Sequence, residues 1–175
     1  MVASRTQLAT WADLESLADD VRAEVIHGTI VEKPSPSAEH GGSQFAFGLV
    51  LGRRFQRRPG GRWPGGWWFG TEIEVEYETH EIYLHDVVGW RRTTVPERPS
   101  GRPVRTRPDW VCEILSPSNA KRDVVDKFKV LHASEVPYYW IADPVERTLI
   151  VHRWESRGYL TILIRPVRRV LRARP

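Results

Sequence analysis

A mixed α/β domain, with helices on the faces of one sheet, is the fold class this 175-residue sequence predicts. Three observations predict it. Helical and strand periodicities run in the order helix, strand, long helix, a block of strands, one helix, more strands. The segment DWVCEIL, residues 109–115, is apolar on both sides, as a central strand must be. A chain of this length with 41% hydrophobic residues holds enough apolar material for one core and one domain, taken here as 1–164.

The elements follow in order. Thr10 ahead of WADLESLADDVRAE reads as an N-cap and a short amphipathic helix, with Asp13 well placed in the first turn. VIHGTIVEK reads as a strand pair turning at His27-Gly28, and KPSPSAE as a loop. From about Ser37 to Arg58, Phe45, Leu49 and their apolar neighbours recur at helical spacing, and RRFQRRPGG supplies basic residues and glycine as a stop. GGRWPGGWWFG reads as a loop, TEIEVEYE as an alternating strand and IYLHDVVGW as a second strand. Residues 91–107 are loop by composition, and DWVCEIL is the third strand. Asn119 is positioned to cap a helix running to about Ser134. VPYYWIADPVERTLIVHRW reads as two strands joined at Asp143-Pro144, and GYLTILI as one more.

No apolar run reaches the roughly 18 residues a membrane helix needs, and the N-terminus lacks a basic start and apolar stretch, so no secretory signal is expected. A single cysteine permits no internal disulfide and fits a reducing, cytoplasmic setting. The net charge of +4 is uneven. The last eleven residues, RPVRRVLRARP, hold five Arg and no acid; +4 less those five charges leaves a body at −1. A solvated, disordered end (165–175) is the plainer expectation. A phosphate-holding arm and the product of frame slippage in a GC-rich gene are the alternatives.

Two acids stand where apolar residues belong. Alternation in DWVCEIL turns Val111, Glu113 and Leu115 one way and Trp110, Cys112 and Ile114 the other. In IYLHDVVGW it groups Leu84, Asp86, Val88 and Trp90. A carboxylate buried in such a strand needs a cation or several donors. If the two strands pair, Asp86 and Glu113 can converge on one divalent ion, and oxygen ligands suit Mg²⁺. In NAKRDVVDKFKVLHAS, Val124, Phe128 and Leu131 form the inward stripe, and Lys127 beside it can reach the strand face.

These pieces resemble the PD-(D/E)XK nuclease superfamily. More specifically, RPDWVCEILSPSNAKRDVVDKFKVLHASEVPYYWIADP, with RAEVIHGTIVEKPSPSAEH upstream, is similar to the bacterial family of "putative restriction endonucleases", formerly a domain of unknown function. The resemblance spans roughly residues 8–160 and implies a restriction-endonuclease-like fold. The metal-binding Asp of that family then falls on Asp86 rather than Asp109, although the family's usual preceding Pro is His85 here. Its Glu falls on Glu113. The Lys expected two residues on is Leu115, which implies that the lysine has moved to Lys127 on the next helix. Glu24 matches an early Glu that can join the metal site, the backbone carbonyl of Ile114 often completes coordination, and His40 and Asp109 are accessory candidates. The implied activity is Mg²⁺-dependent hydrolysis of DNA phosphodiesters (Mn²⁺ substituting), with a homodimer as a further expectation.

Plainer readings stand beside these. Asp86 alone reads as an exposed turn acid, and Glu113 as half of a structural ion pair. Asp123 and Lys127 are four apart, the spacing of a routine helix-surface pair, and Lys121 and Lys129 compete for the catalytic place. Ser116 and Ser118 read as turn and cap residues, Cys112 as core, Asp143-Pro144 as a turn, and WPGGWW as packing before base stacking. Two functions therefore divide on Asp86, Glu113 and Lys127: a metal-dependent endonuclease, or a nuclease-like fold that binds nucleic acid or protein without cutting.

Overall fold

The structure, a computed structural model, describes residues 7–60, 65–116 and 120–166, and within its third helix the side chains from Val125 onward. The helices are α1 (Trp11–Glu15), α2 (Ala38–Phe55) and α3 (Ala120–Ala133). The strands are β1 (Ala23–Ile26), β2 (Thr29–Glu32), β3 (Trp67–Glu78), β4 (Glu81–Arg91), β5 (Trp110–Ile114), β6 (Tyr138–Asp143), β7 (Thr148–Glu155) and β8 (Gly158–Pro166). Among the described residues, eight strands form one sheet in the order β2-β1-β4-β5-β6-β7-β8, with β3 also laid against β4. β5 and β6 pair in parallel across the α3 crossover, and the other pairs are antiparallel.

Local chemistry places the elements that matter for the site. His27 (φ 51°) and Gly28 (φ 72°) are both left-handed, the requirement of a tight turn that keeps the twist of its strands, so β1 and β2 close as a hairpin with Val25 opposite Ile30. The Ser37 hydroxyl accepts the His40 N–H at 3.3 Å and starts α2. Asp143 turns β6 into β7 by accepting the Val145 and Glu146 N–H groups, each at 2.9 Å. Asn119, the expected cap of α3, lies outside the described residues, as do Ser118 and the side chains of Lys121, Asp123 and Val124. The basic tail beyond Pro166 lies outside them too.

The sheet is covered on both faces. On one, Val88, Trp90, Val111, Tyr139 and Ile141 pack with Leu131 and Phe128 of α3. On the other, Val87, Trp110, Cys112 and Ile114 pack with Phe47 and Leu51 of α2. The stripe through Phe45 and Leu49 that signals the helix faces outward; those two are 72% and 58% exposed. The Trp-rich segment is also corrected. Trp67, Trp68 and Phe69 open β3 rather than lying in a loop, and they pack: Trp67 stacks on Phe69 and the Trp68 indole N–H donates to the Val95 carbonyl.

Strand β4 carries the decisive geometry. Its residues from Glu81 to Trp90 are all buried. β3 pairs along its whole length and so takes one entire edge. The other edge is shared: β1 meets it at Ile82 and β5 only from Val87 to Gly89. Residues 83–86 lie in the notch between them. There the expected alternation slips. Tyr83 and His85 reach Lys127 and Glu113 on the α3 side, and Val88 and Trp90 share that side, whereas Asp86 meets His40 of α2 and Val87 packs with Phe47. Asp86 and Val88 therefore do not share a face. Glu72, whose left-handed φ of 54° interrupts β3 between Thr71 and Ile73, sits beside the slip.

Candidate active site

The notch is where charge collects. A strand edge without a partner strand leaves N–H and C=O groups to satisfy, and side chains do it here. Glu24 on β1 accepts the Leu84 N–H at 2.8 Å. Lys33, just past β2, donates to the Leu84 carbonyl at 2.8 Å. Gln44 on α2 donates to the Asp86 carbonyl at 2.8 Å. On the β5 side, the last strand residue Ile114 gives its N–H to Asp86 Oδ2 at 2.7 Å. The Asp86 carboxylate thus continues the ladder where β5 ends.

Three carboxylates face one another across this gap, all nearly inaccessible: Glu24 and Glu113 at 1% and Asp86 at 2% exposed. Two ammonium groups hold them. Lys127 Nζ, fully buried, lies 2.6 Å from Glu24 Oε1 and 3.3 Å from Glu113 Oε1. Lys33 Nζ lies 3.2 Å from Asp86 Oδ1, 3.8 Å from Glu113 Oε2 and 4.0 Å from Glu24 Oε1. His40 Nε2 stands 3.1 Å from Asp86 Oδ2. Burial works to raise the Asp86 pKa, but the His40 hydrogen bond, the Lys33 ammonium and the Ile114 N–H outweigh it and hold Asp86 below the usual carboxylate range. Burial and neighbouring Lys127 work to lower the Lys33 pKa; the three carboxylates prevail and raise it. Asp86 is therefore ionised and Lys33 charged at neutral pH.

Behind Glu113 stands a buried relay. His85 Nδ1 is 2.6 Å from Glu113 Oε1, and His85 Nε2 is 2.8 Å from the Tyr77 hydroxyl. Burial, then Lys127, push the His85 pKa well below 6.5, so the ring is neutral. Burial, then Glu113, push Tyr77 upward, so it keeps its proton. Partner chemistry then assigns the directions: the Tyr77 hydroxyl donates to Nε2, and Nδ1–H donates to the carboxylate. The chain fixes the orientation of Glu113 without adding charge.

This has a pH consequence for the metal-free protein. Below about pH 6.5 an unfolded His85 takes up a proton that the folded state refuses, so folding stability falls as the pH drops. The His85 share of that slope is at most about 1.4 kcal/mol per pH unit. Urea unfolding between pH 7 and pH 5 is expected to show a shallower loss for His85→Gln than for the parent; parallel curves would mean that His85 titrates normally.

The structure brings together four residues singled out in the sequence, Glu24, Asp86, Glu113 and Lys127, with His40 beside Asp86 and Ile114 at the rim. It does not bring Asp109. That acid sits at the opposite end of β5, where Oδ2 accepts the Arg91 N–H at 2.8 Å and the Thr94 hydroxyl at 2.7 Å, and so ends a loop. Lys129 is exposed and does not compete with Lys127. Cys112 is buried in the α2-side core, away from Glu113. Sequence reasoning missed Lys33 and the relay role of His85. A histidine within a strand apolar on both faces was a readable signal; nothing marked Lys33.

The donor set of three carboxylates is the kind a hard divalent cation takes. As the side chains stand, no three His, Cys, Asp or Glu donors among the described residues are gathered closely enough to grip a metal ion. The cation they surround is the Lys33 ammonium, and the donor chemistry fits a metal in its place. Gln44, Glu72 and Leu84 open from the cluster into a cleft of about 570 Å³, which also has Arg22 and Arg102 in its walls. A separate apolar groove of about 410 Å³ between α2 and the β6–β7 turn shares no residue with the cluster.

A family model described as "Putative restriction endonuclease", Uma2, matches residues 11–174. The chain belongs to the Uma2 family. All five carboxylate and lysine members of the cluster lie inside the matched span of this Uma2 chain. A crystal structure of "a putative nuclease belonging to DUF820" from Anabaena variabilis ATCC 29413 is similar to it with a TM-score of 0.73 and 20% identity, covering 90% of this chain and 84% of that one. At that identity the likeness shows the fold, and the restriction-endonuclease-like α/β fold expected from the sequence stands. No curated protein matches the chain. Among the described residues of this Uma2 protein no helix is long and apolar enough to cross a membrane.

Proposed function

We propose that this Uma2 protein is a metal-dependent DNA endonuclease that hydrolyses phosphodiester bonds, with Mg²⁺ as cofactor and Mn²⁺ able to replace it. The observation that carries the reading is the convergence of Glu24, Asp86 and Glu113, each at most 2% exposed, on a single cation position at a break in the sheet. A fold spends buried charge of this kind on function more readily than on stability, because apolar side chains would pack there at less cost. The family and the neighbouring nuclease support the same chemistry.

Asp86 and Glu113 would hold the metal, with Glu24 and the Ile114 carbonyl completing the ligands. A divalent ion, when bound, supplies water activation and neutralises phosphate charge. Lys127 needs no movement to remain against Glu24 and Glu113, where its ammonium orients the attacking water and offsets charge developing on the phosphate. The His85–Tyr77 relay keeps one Glu113 oxygen engaged and the carboxylate turned toward the notch. His40 steadies Asp86 from the α2 side. Cutting both strands of a duplex takes two such sites, which two copies of the chain would supply.

The direct test is cleavage of supercoiled plasmid DNA. Conversion to nicked or linear forms in Mg²⁺, absent in EDTA, is the expected result. DNA binding that is equal with and without EDTA, with no cleavage, would replace this reading with a non-cutting nucleic-acid-binding module.

A further inference from the structure

We infer that Lys33 is the resident cation of the metal-free site: its ammonium fills the hollow a divalent ion would enter, and metal binding is an exchange in which Lys33 leaves. The inference rests on the nuclease reading above and adds how that site is gated.

Three observations carry it. The first is position. Lys33 Nζ is the one ammonium within 4.0 Å of all three acids among the described ion pairs, whereas the ion pairs described for Lys127 are with Glu24 and Glu113. An ion bound to carboxylate oxygens at about 2.1 Å would need the space this ammonium occupies. The second is charge. Counting carboxylates and ammoniums alone, three acids and two lysines leave −1 in a buried hollow. A divalent ion added beside both lysines would make it +1; the same ion in exchange for Lys33 makes it zero. Uncompensated buried charge is costly, so exchange is favoured over addition. The third is freedom to move. Lys127 is anchored mid-helix with no exposed surface, but Lys33 follows the last residue of β2, leads into the loop at Pro34, and keeps 7% of its side chain exposed. It keeps an opening to solvent that Lys127 lacks.

The exchange lets the three acids stay folded and pre-aligned without metal, and it makes the metal-competent state a minor one. Apparent metal affinity is reduced by that fraction. Removing the ammonium removes the penalty. Lys33→Met is therefore expected to bind Mn²⁺ at least about tenfold more tightly than the parent by titration calorimetry. The metal-free variant, with its hollow at −2, melts lower than the parent, and Mn²⁺ raises its melting temperature by more.

The parent protein supplies a second measurement that does not depend on the variant folding. Reductive methylation read by peptide mass spectrometry is expected to spare Lys33 in EDTA and to modify it in saturating Mn²⁺, while Lys127 stays protected in both. Equal Mn²⁺ affinities of parent and Lys33→Met, or a Lys33 that stays protected at saturating Mn²⁺, would overturn the exchange and leave the nuclease reading standing. No Mn²⁺ binding by either protein would overturn both.

Discussion

Glu113→Gln is expected to cut DNA cleavage by about 10²–10³-fold or more while leaving the fold intact. The two halves of that expectation come from different properties of the same side chain. Catalytically, the substitution removes a charged metal ligand from the centre of the notch. Structurally, Gln keeps the shape, and its amide oxygen still accepts from His85 Nδ1. The charge of the cluster moves from −1 to zero, so no new uncompensated charge is buried. Asp86→Asn is expected to lose as much activity but more stability. Its Oδ2 receives the Ile114 N–H and lies 3.1 Å from His40 while its Oδ1 receives the Lys33 ammonium at 3.2 Å, and an amide cannot accept at both positions. Plasmid cleavage beside urea melts of all three proteins checks both halves. An E113Q protein that melts like the parent and cuts at the parent rate removes Glu113 from the site.

Lys127→Met has the opposite sign and the largest expected effect on stability. It leaves three acids against one ammonium, so the buried charge deepens from −1 to −2. Removing one partner of a buried ion pair typically costs about 3–5 kcal/mol. That is a large part of the roughly 5–15 kcal/mol by which domains are stable. The loss should be recoverable. Glu24 is the acid closest to Lys127, at 2.6 Å, so adding Glu24→Gln returns the cluster to −1. The double variant is expected to be more stable than Lys127→Met alone, with a coupling of about 0.5–3 kcal/mol. Additive losses would mean that the two side chains do not depend on each other.

The acids of the site were legible for a simple reason. Asp86 and Glu113 interrupt strands that are otherwise apolar, and burial in such a strand has few purposes. Lys127 was harder. Its spacing from Asp123 is that of a surface pair, and only the packing of α3 on the sheet shows it to be fully buried. The central place of β5 was readable from its two apolar faces, and the hairpin of β1 and β2 from His27-Gly28. The face of Asp86 was not, because the slip in β4 arises beside the left-handed backbone of Glu72 on another strand, and no alternation within one segment records it. Lys33 was invisible for the same kind of reason. It belongs to the site because β1 and β5 share an edge of β4 and leave a notch, and that sharing is a property of the assembled sheet. Trp67 to Gly70 misled in the other direction: two tryptophans, a phenylalanine and a glycine that read as loop extend β3 because the full length of β4 offers them pairing partners.

The proposed reading joins three carboxylates, from β1, β4 and β5, in one divalent-cation site. Crystals soaked in Mn²⁺ and measured at the manganese edge test it most directly. An anomalous peak is expected about 2.1 Å from oxygens of Asp86 and Glu113, at the place where the Lys33 ammonium now stands. A fully soaked crystal with no peak in the notch, or with manganese bound only elsewhere on the molecule, would contradict it.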